Sequence, residues 1–307
     1  MKRLNSTKIL FLGNSSIFQR KIYPSVRKFK NISIELATIR KIKLNTKLKI
    51  YKSYKESIEK SNASIVYVSL INSEHFKWAH YALKNYKHVI VDKPLALELK
   101  QTKSLINLAK KNKLFLSEAV VFHKHLRFKK FLLKLNFKSK INVKANFHIP
   151  KLEKKNFRNY KKFGGGCFND MSSYAAYLIH LFIGKKKYKL DKDEKNKNFY
   201  KHFMINAKSQ KIRITASFKF DSNYKNQIIV DNNQKKYFIE FAFSPPIDKS
   251  TSMTVINDNK EEYTLNFRKQ NTFDIYFSEV LSLIKKKKYN FFYNEIEKIA
   301  KIRKKIS

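Results

Sequence analysis

The first 119 residues of the chain alternate short apolar runs with longer amphipathic segments, and this order constrains the fold more than any other feature. The apolar runs predict buried β-strands at residues 8–12, 33–39, 64–69, 88–91 and 114–116. The intervening patterns predict helices at 54–60, 75–86 and 97–112, and an earlier crossover helix containing Ile17, Ile22 and Val26. This alternation predicts an α/β domain over residues 1–119 with a doubly wound parallel sheet, the architecture of nucleotide-binding domains.

The pattern changes after residue 120. Residues 212–220 alternate apolar and polar side chains, as do residues 237–243, which predicts antiparallel strands with one buried face. The polar stretch 185–201 predicts a surface loop, and helical patterns return at 272–284 and 294–306. We therefore expect an α+β domain over 120–289 with a large, mainly antiparallel open sheet, and a C-terminal helix within 290–307 that packs back on the first domain.

The chain is strongly basic, with 67 Lys+Arg against 23 Asp+Glu and a formal net charge of +44. Only nine of the basic residues are arginine, and the lysines are spread from end to end. Nucleic-acid readers usually employ arginine as well, because its planar fork suits phosphates and guanine edges. The composition favours lysines that fill ordinary solvated positions, so we expect no specific nucleic-acid partner. A lysine-rich nucleic-acid binder stays open as an alternative.

Cysteine content and apolar run lengths bear on the compartment. The single Cys167 allows no intrachain disulfide and fits a reducing compartment. The apolar run 9–12 is too short for a signal-peptide core, and the run 174–184 is about half a membrane span. We expect a cytoplasmic protein without a membrane partner, and we assign no metal ligands.

Glycine is scarce, and three of the five glycines stand together at Gly164–Gly166. A chain this poor in glycine keeps it where the backbone needs positive φ or a close approach, so the triplet predicts a tight corner. Asp170 and Tyr174 follow one helical turn apart and would face the same point. We interpret this segment as an active-site wall. The alternatives are an N-cap role for Asp170 and core packing for Tyr174.

Two further positions lie at the predicted carboxyl edge of the parallel sheet. Gly13 follows the first strand, where the next helix offers free N–H groups to a phosphate, although Ser15 and Phe18 stand where a dinucleotide fingerprint has its other glycines. An ordinary strand-to-helix turn is the alternative. Lys93 ends the strand 88–91, where partial desolvation would lower its pKa towards the range useful for proton transfer. A solvated lysine among many is the alternative there.

Four motifs occur in a familiar order and spacing. They are Val66-Tyr-Val-Ser-Leu-Ile-Asn72-Ser-Glu-His75, Val91-Asp-Lys93-Pro94-Leu-Ala, Ser117-Glu118-Ala-Val-Val-Phe-His-Lys-His125, and Gly164-Gly-Gly-Cys-Phe-Asn-Asp170 with Tyr174. Over most of its length the chain resembles the glucose-fructose oxidoreductase, inositol dehydrogenase and rhizopine-catabolism (Gfo/Idh/MocA) family. The resemblance implies an N-terminal Rossmann domain and a C-terminal α/β domain. The open sheet of the latter would carry much of the substrate site and the contact of a homo-oligomer, a dimer or a tetramer.

The chemistry implied by the resemblance is hydride transfer between a nicotinamide and a carbon of a sugar, cyclitol or nucleotide sugar. Removing or adding hydride at an alcohol carbon also moves the hydroxyl proton, so such a site needs an acid/base. Lys93 matches the lysine of the family's Glu-Lys-Pro motif, which hydrogen-bonds the reacting oxygen. Asp170 and Tyr174 would be aimed at the same atom. Many members have His in place of Tyr174, and a phenol as proton donor suits reduction of a keto-sugar, for example in surface-polysaccharide synthesis.

The cofactor contacts implied by the resemblance involve several segments. They are Gly13, Ser15 and Ser16 in the phosphate loop, Asn72 and His75 in the family's Pro-Asn-x-x-His segment, Lys93, and Glu118 after the next strand. Arg40 follows the second predicted strand, where an arginine suits a ribose 2′-phosphate, so NADP is favoured over NAD. A solvated loop cation is the alternative for Arg40.

Five positions depart from the family pattern: Ser15, Phe18, Ile71, Asp92 and Ser172. The first two replace fingerprint glycines, Ile71 replaces Pro, Asp92 replaces Glu, and Ser172 replaces a small Gly. Two of the five departures, Ser15 and Phe18, thus fall in the turn expected to bind the dinucleotide. The alternative function is a non-catalytic relative that keeps the scaffold and binds a sugar ligand or a protein partner.

Overall fold

The structure, a computed structural model, describes residues 7–39, 48–191 and 200–307. The chain forms two compact units. The first runs to Ala119 and adds Tyr276–Glu297, and the second comprises Val120–Ile275 and Lys298–Ser307. The proposed ranges 120–289 and 290–307 differ from this division, because residues 276–297 belong with the first unit and residues 298–307 with the second.

The first unit is built on a parallel sheet of six strands. The strands are β1 (Thr7–Leu12), β2 (Ile32–Ala37), β3 (Lys49–Tyr51), β4 (Ile65–Val68), β5 (His88–Val91) and β6 (Leu116–Glu118). Their order is β3-β2-β1-β4-β5-β6, and every neighbouring pair runs parallel. The predicted doubly wound sheet is confirmed. The direction of strand order reverses between β1 and β4, and in open α/β sheets ligands bind at the carboxyl ends of the strands beside such a reversal.

The helices of the first unit lie between these strands as the sequence order predicts. They are α1 (Tyr23–Val26), α2 (Tyr54–Lys60), α3 (His75–Lys84) and α4 (Leu99–Lys111). The side chain of Ser53 accepts a hydrogen bond from the backbone N–H of Glu56 and thereby caps α2. Apolar side chains of α3 and α4, such as Leu83 and Leu105, are fully buried in one core with the sheet. Helix faces with this spacing are stabilised chiefly by such burial.

A segment from the end of the chain completes the first unit. The hydroxyl groups of Ser117 and Tyr276 are 2.5 Å apart, and the Tyr293 hydroxyl donates to the carbonyl of Leu114. The rings of Phe115 and Phe292 meet edge to face with 4.9 Å between centroids. Residues around β6 are therefore covered by residues more than 150 positions away in sequence.

The second unit contains an eight-stranded sheet. Its strands are β7 (Ile141–His148), β8 (Lys189–Asp191), β9 (His202–Lys208), β10 (Ile212–Lys219), β11 (Lys225–Asp231), β12 (Lys235–Glu240), β13 (Thr251–Asn257) and β14 (Glu262–Phe267). The order is β14-β13-β12-β11-β7-β10-β9-β8. All neighbours are antiparallel except β7 and β10, which pair in parallel. The predicted mainly antiparallel sheet is confirmed, but β10 itself has one parallel neighbour.

The parallel pairing of β7 and β10 requires a crossover, and α6 (Cys167–Phe182) lies within it. The side chains of α6 that repeat at helical spacing, among them Met171, Ala175 and Leu178, are buried in the core of this unit. The inward residues of the strands, such as Val143 and Ile214, join the same core. Outward residues of β7 such as Lys144 are exposed, so one face of the sheet carries the core and the other is polar.

The remaining helices are α5 (Leu126–Leu133), α7 (Thr272–Lys285) and α8 (Asn290–Ile306). The predicted helices 272–284 and 294–306 thus correspond to α7 and α8, and α8 begins four residues earlier than expected. The stretch 185–201 was expected to be a loop, but its described part contains the edge strand β8. Among the described residues no helix combines the length and the apolar content needed to cross a bilayer.

Candidate functional site

The turn after β1 is fixed by backbone geometry that requires glycine. Gly13 has a φ of +98°, and its N–H donates to the carbonyl of Ala37 at 2.8 Å. A Cβ at this position would lie 2.3 Å from the carbonyl oxygen of Ser69. A side chain there would collide with the backbone at the end of β4. Gly13 thus allows the ends of β1 and β4 to approach closely, whether or not a ligand is bound.

Phe18, at the position of a fingerprint glycine, alters the helix that follows. Its side chain is fully buried, with 4.9 Å between its ring centroid and that of Phe11. The chain from Phe18 to Ile22 forms a π-helical turn before α1, in which the N–H of Tyr23 donates to the carbonyl of Phe18. The wider turn gives room for a ring where a glycine would let helix and strand pack directly.

Four side chains at the carboxyl ends of β1, β4 and β5 form one hydrogen-bonded chain. The hydroxyls of Ser15 and Ser69 are 2.6 Å apart, and Ser69 donates to Oδ2 of Asp92 at 2.5 Å. The hydroxyl of Tyr67 donates to Oδ1 of the same carboxylate at 2.6 Å. Burial, together with the nearby Asp92 charge, raises the pKa of Tyr67 well above its ordinary value, which keeps the phenol protonated as a donor.

Lys93 directly follows Asp92, and the imidazole of His75 hydrogen-bonds the backbone of the next residue, Pro94. Lys93 is half-buried, and its peptide bond to Pro94 is cis. The two ring nitrogens of His75 lie 2.7 Å from the carbonyl oxygen of Pro94 and 3.1 Å from that of Leu70. His75 is itself buried, and this burial lowers its pKa. Its visible role is to fix the backbone beside Lys93, and the cofactor contact expected of His75 stays a prediction.

The other predicted cofactor residues of the first unit lie at the same edge of the sheet, with one exception. Asn72 is buried after β4, and Glu118 is buried at the end of β6. Ser16 is exposed in the turn after β1. Arg40 lies outside the described residues. The structure therefore brings Gly13, Ser15, Ser16, Asn72, His75, Lys93 and Glu118 to the carboxyl ends of neighbouring strands.

In the second unit, the glycine triplet forms the tight corner that the sequence predicts. A Cβ on Gly165 would lie 2.6 to 2.7 Å from the carbonyl oxygens of Phe157, Arg158 and Tyr160. The N–H of Gly166 donates to the carbonyl of Arg158 at 2.8 Å. The backbone of residues 157–160 therefore packs closely against the glycines that precede α6. A residue with a Cβ would not fit at Gly165.

Asp170 lies in the first turns of α6 and is ion-paired. Its Oδ1 is 2.9 Å from Nε of Arg158, and its side chain is only 8% exposed. The N-cap position of α6 is Gly166, so Asp170 is not the cap. Arg158 pairs with the predicted site residue Asp170 and was not itself predicted from the sequence. Its signal was weak: an arginine a few positions before the glycine triplet, in a chain whose cations are mostly lysine.

Tyr174 lies one turn after Asp170 on the same face of α6. Its ring is half-buried and has centroid distances of 5.4 Å to Phe147, 5.4 Å to Phe243 and 5.8 Å to Phe122. The aromatic cluster fixes the ring, so core packing accounts for part of its role. The expected function of its hydroxyl in catalysis stays a prediction.

Ser172, which replaces a family glycine, has a structural partner. Nε of Arg303 in α8 donates to the Ser172 hydroxyl at 2.9 Å, and both residues are buried. A glycine could not accept this bond. Ser172 therefore has a structural role in the second unit, and its hydrogen bond with Arg303 does not involve Asp170 or Tyr174.

The strand order and the residues at the carboxyl ends of the strands define the first unit as a Rossmann-type domain, and the second unit is a separate α+β unit. Residues 25–120 match the family described as "Oxidoreductase family, NAD-binding Rossmann fold". The resemblance to the Gfo/Idh/MocA oxidoreductase family that the motifs predicted is confirmed over these residues.

Individual relatives agree with this assignment. The chain is 30% identical over 133 residues to dTDP-3,4-didehydro-2,6-dideoxy-alpha-D-glucose 3-reductase of Saccharopolyspora spinosa, which covers 42% of this chain and 40% of the relative. It is 30% identical over 146 residues to trans-1,2-dihydrobenzene-1,2-diol dehydrogenase of Danio rerio, covering 44% and 42%. The chain thus spans about two fifths of the length of these curated relatives.

The fold is shared over a greater length. A crystal structure of a 3-ketoreductase from Actinomadura kijaniata in complex with NADP and TDP-benzene superposes with a TM-score of 0.89. The match covers 98% of this chain and 97% of that one at 17% identity. This likeness shows that the fold of the chain is one known from solved structures.

Proposed function

We propose that this protein is an NAD(P)-dependent oxidoreductase that transfers hydride between a nicotinamide and a carbon of a sugar or nucleotide sugar. The observation that carries the proposal is the gathering of the Gly13 turn and Lys93 at the carboxyl edge of the β3-β2-β1-β4-β5-β6 sheet. In open α/β sheets, ligands bind at that edge beside the reversal of strand order. The names of the relatives, sugar 3-reductases and a diol dehydrogenase, support the same class of reaction.

The residues present fit a dinucleotide. The turn after β1 offers backbone N–H groups and the exposed hydroxyl of Ser16 to a diphosphate. The nicotinamide would supply the hydride. Lys93 would hydrogen-bond the reacting oxygen, and the phenol of Tyr174 would hold the proton that this oxygen gains or loses, with Asp170 beside it on α6. A phenol donor favours reduction of a keto-sugar as the direction of the reaction.

Finer properties belong to the same proposal. NADP is the favoured cofactor, consistent with the NADP held by the Actinomadura kijaniata ketoreductase. We place the enzyme in the cytoplasm, as a homodimer or homotetramer that uses the polar face of the eight-stranded sheet. Surface-polysaccharide synthesis is a context in which a reductase of this class would act.

Titration of the protein with NADPH and NADH tests the cofactor step. Binding of either nucleotide supports the enzyme, whereas absence of binding at millimolar concentration would favour a non-catalytic relative that binds a sugar ligand or a protein partner. A gel shift with nucleic acid that persists at moderate salt would instead support the lysine-rich binder, because nonspecific lysine contacts fade steeply with salt.

Replacing Lys93 tests the catalytic step. Lys93→Ala should lower turnover on a panel of keto-sugar nucleotides at least a hundredfold, because a positioned acid/base contributes about 10²- to 10⁴-fold, while NADPH affinity is retained. Lys100→Ala is a matched control, since Lys100 is an exposed lysine of α4 with 83% of its side chain accessible. Equal turnover in the two variants would remove Lys93 from the mechanism.

A further inference from the structure

The turn after β1 lacks two fingerprint glycines but contains a feature that glycines cannot provide. Ser15, Ser69 and Asp92 form a line of short hydrogen bonds, which we call the hydroxyl relay. Its members come from the ends of three adjacent strands, β1, β4 and β5. The relay therefore crosses the point where the strand order reverses.

The direction of each proton in the relay follows from the chemistry of its members. Ser69 has one hydroxyl proton and donates it to Oδ2 of Asp92. The contact between Ser15 and Ser69 must then be made by the Ser15 proton. The oxygen of Ser15 in turn accepts from the backbone N–H of Phe18 at 3.1 Å. The Ser15 hydroxyl thus donates a hydrogen bond to Ser69 and accepts one from Phe18, and the second bond holds the turn after β1 in shape.

Burial makes the middle of the relay rigid. Ser69 is 1% exposed, and Asp92 is anchored on its other oxygen by Tyr67, which is 0% exposed. Hydrogen bonds to a charged acceptor are stronger than neutral ones, and a buried donor left without its acceptor is unfavourable. The shape of the turn after β1 is therefore set by a carboxylate that directly precedes Lys93 in sequence.

We propose that Ser69 is a positioning residue for the dinucleotide. Its hydroxyl links Ser15 to the fixed Asp92 carboxylate through hydrogen bonds, and this link holds the phosphate-binding turn in its binding conformation. This inference rests on the proposed function. The relay takes over the conformational role of the missing glycines, and it joins the cofactor turn to the segment that carries Lys93. Ser69 would act on the cofactor through Ser15, because its own hydroxyl bonds Ser15 and Asp92 within the relay.

The test compares two serines that make the same bond in the same unit. Ser69→Ala removes a buried hydroxyl that donates to Asp92, and Ser61→Ala removes a buried hydroxyl that donates to Glu35, also at 2.5 Å. Both variants should lose similar thermal stability. The Kd for NADPH, measured by calorimetric titration well below the melting temperature, should rise about five- to tenfold in Ser69→Ala and stay within twofold in Ser61→Ala.

Ser15→Ala provides a second variant that leaves the bond between Ser69 and Asp92 intact and so protects the fold. It should weaken NADPH binding as much as Ser69→Ala, and the double variant should be no weaker than either single one, because all three break the same relay. Multiplied effects in the double variant would show that Ser15 acts independently of Ser69 and would overturn the relay. Equal affinities in Ser69→Ala and Ser61→Ala would overturn it too.

Failure of the proposed function gives a different result. In that case the wild-type protein binds neither NADPH nor NADH, and the positioning role falls with it. A wild-type protein that binds NADPH, together with a Ser69→Ala variant of unchanged affinity, would reject the relay alone.

Discussion

The imidazole of His88, the first residue of β5, hydrogen-bonds the backbone of Phe115 beside it. This bond forms only while the imidazole is neutral. Its Nδ1 accepts a hydrogen bond from the backbone N–H of Phe115 at 2.9 Å. A protonated imidazole has no lone pair for this bond. Burial lowers the pKa of His88 from 6.5 to about 4. The fold should therefore resist protonation of His88 in mildly acidic solution.

The sign and size of the effect follow from proton linkage. Between pH 6.5 and about 4, His88 is protonated in the unfolded chain but neutral in the folded chain. Acid therefore favours unfolding. The contribution to stability is complete above pH 6.5, declines as the pH falls, and is lost below the folded value of about 4. At about 1.4 kcal/mol for each unit of pKa, the difference between 6.5 and about 4 gives roughly 3 kcal/mol.

His88→Asn isolates this contribution, because the Asn amide oxygen can occupy the place of Nδ1 and does not titrate. Trp78, the only tryptophan of the chain, lies in α3 of the first unit and reports its unfolding by fluorescence. Urea titrations at pH 7.5 and at pH 4.5 should show the wild type losing about 2 to 3 kcal/mol more than the variant between the two values. Other titrating groups are common to both proteins and cancel in the comparison. Parallel losses in wild type and variant would refute the assignment.

Two further changes test the second unit. Gly165→Ala should lower the free energy of unfolding by about 2 kcal/mol or more, because three carbonyl oxygens lie within 2.7 Å of the new Cβ; Gly184→Ala, whose nearest neighbour is the His180 carbonyl oxygen at 3.9 Å, is the control and should cost about 1 kcal/mol through its positive φ. Ser172→Gly restores the residue typical of the family, yet it should destabilise the protein by about 1 to 2 kcal/mol in urea, since it removes a buried hydrogen bond from Nε of Arg303. An unchanged urea midpoint in either Gly165→Ala or Ser172→Gly would contradict the corresponding contact.

The sequence predicted the elements whose patterns are long enough to show a period. β4 is a fully buried apolar run, β1 and β5 are apolar and buried after their first polar residues, and the alternation in β10 revealed its buried face. β3 was missed because it has only three residues, two of them exposed. The parallel partner of β10 could not be predicted either, since alternation shows which side chains are buried but not which strand lies alongside.

The geometry of the candidate site was predictable where the local backbone demands a residue type. Gly13 and the glycine triplet are such cases, and Lys93 could be placed because it follows the end of β5. Ser69 also ended a predicted strand, but its partner Ser15 is 54 residues away. Long-range hydrogen bonds leave no periodic signal, so the relay and the ion pair of Arg158 emerge only from the folded chain.

The first unit is assembled from both ends of the chain, and this affects how the protein can be made. Translation delivers residues 7–119 long before Tyr276 and Tyr293 leave the ribosome. Until then Phe115 lacks its partner Phe292, and the apolar surface around β6 stays open to solvent and to other chains. An N-terminal fragment that stops at residue 119 should therefore aggregate on expression, whereas the same fragment fused through a linker to residues 276–297 should remain soluble. Residues 276–297 thus complete the core of the first unit only late in synthesis.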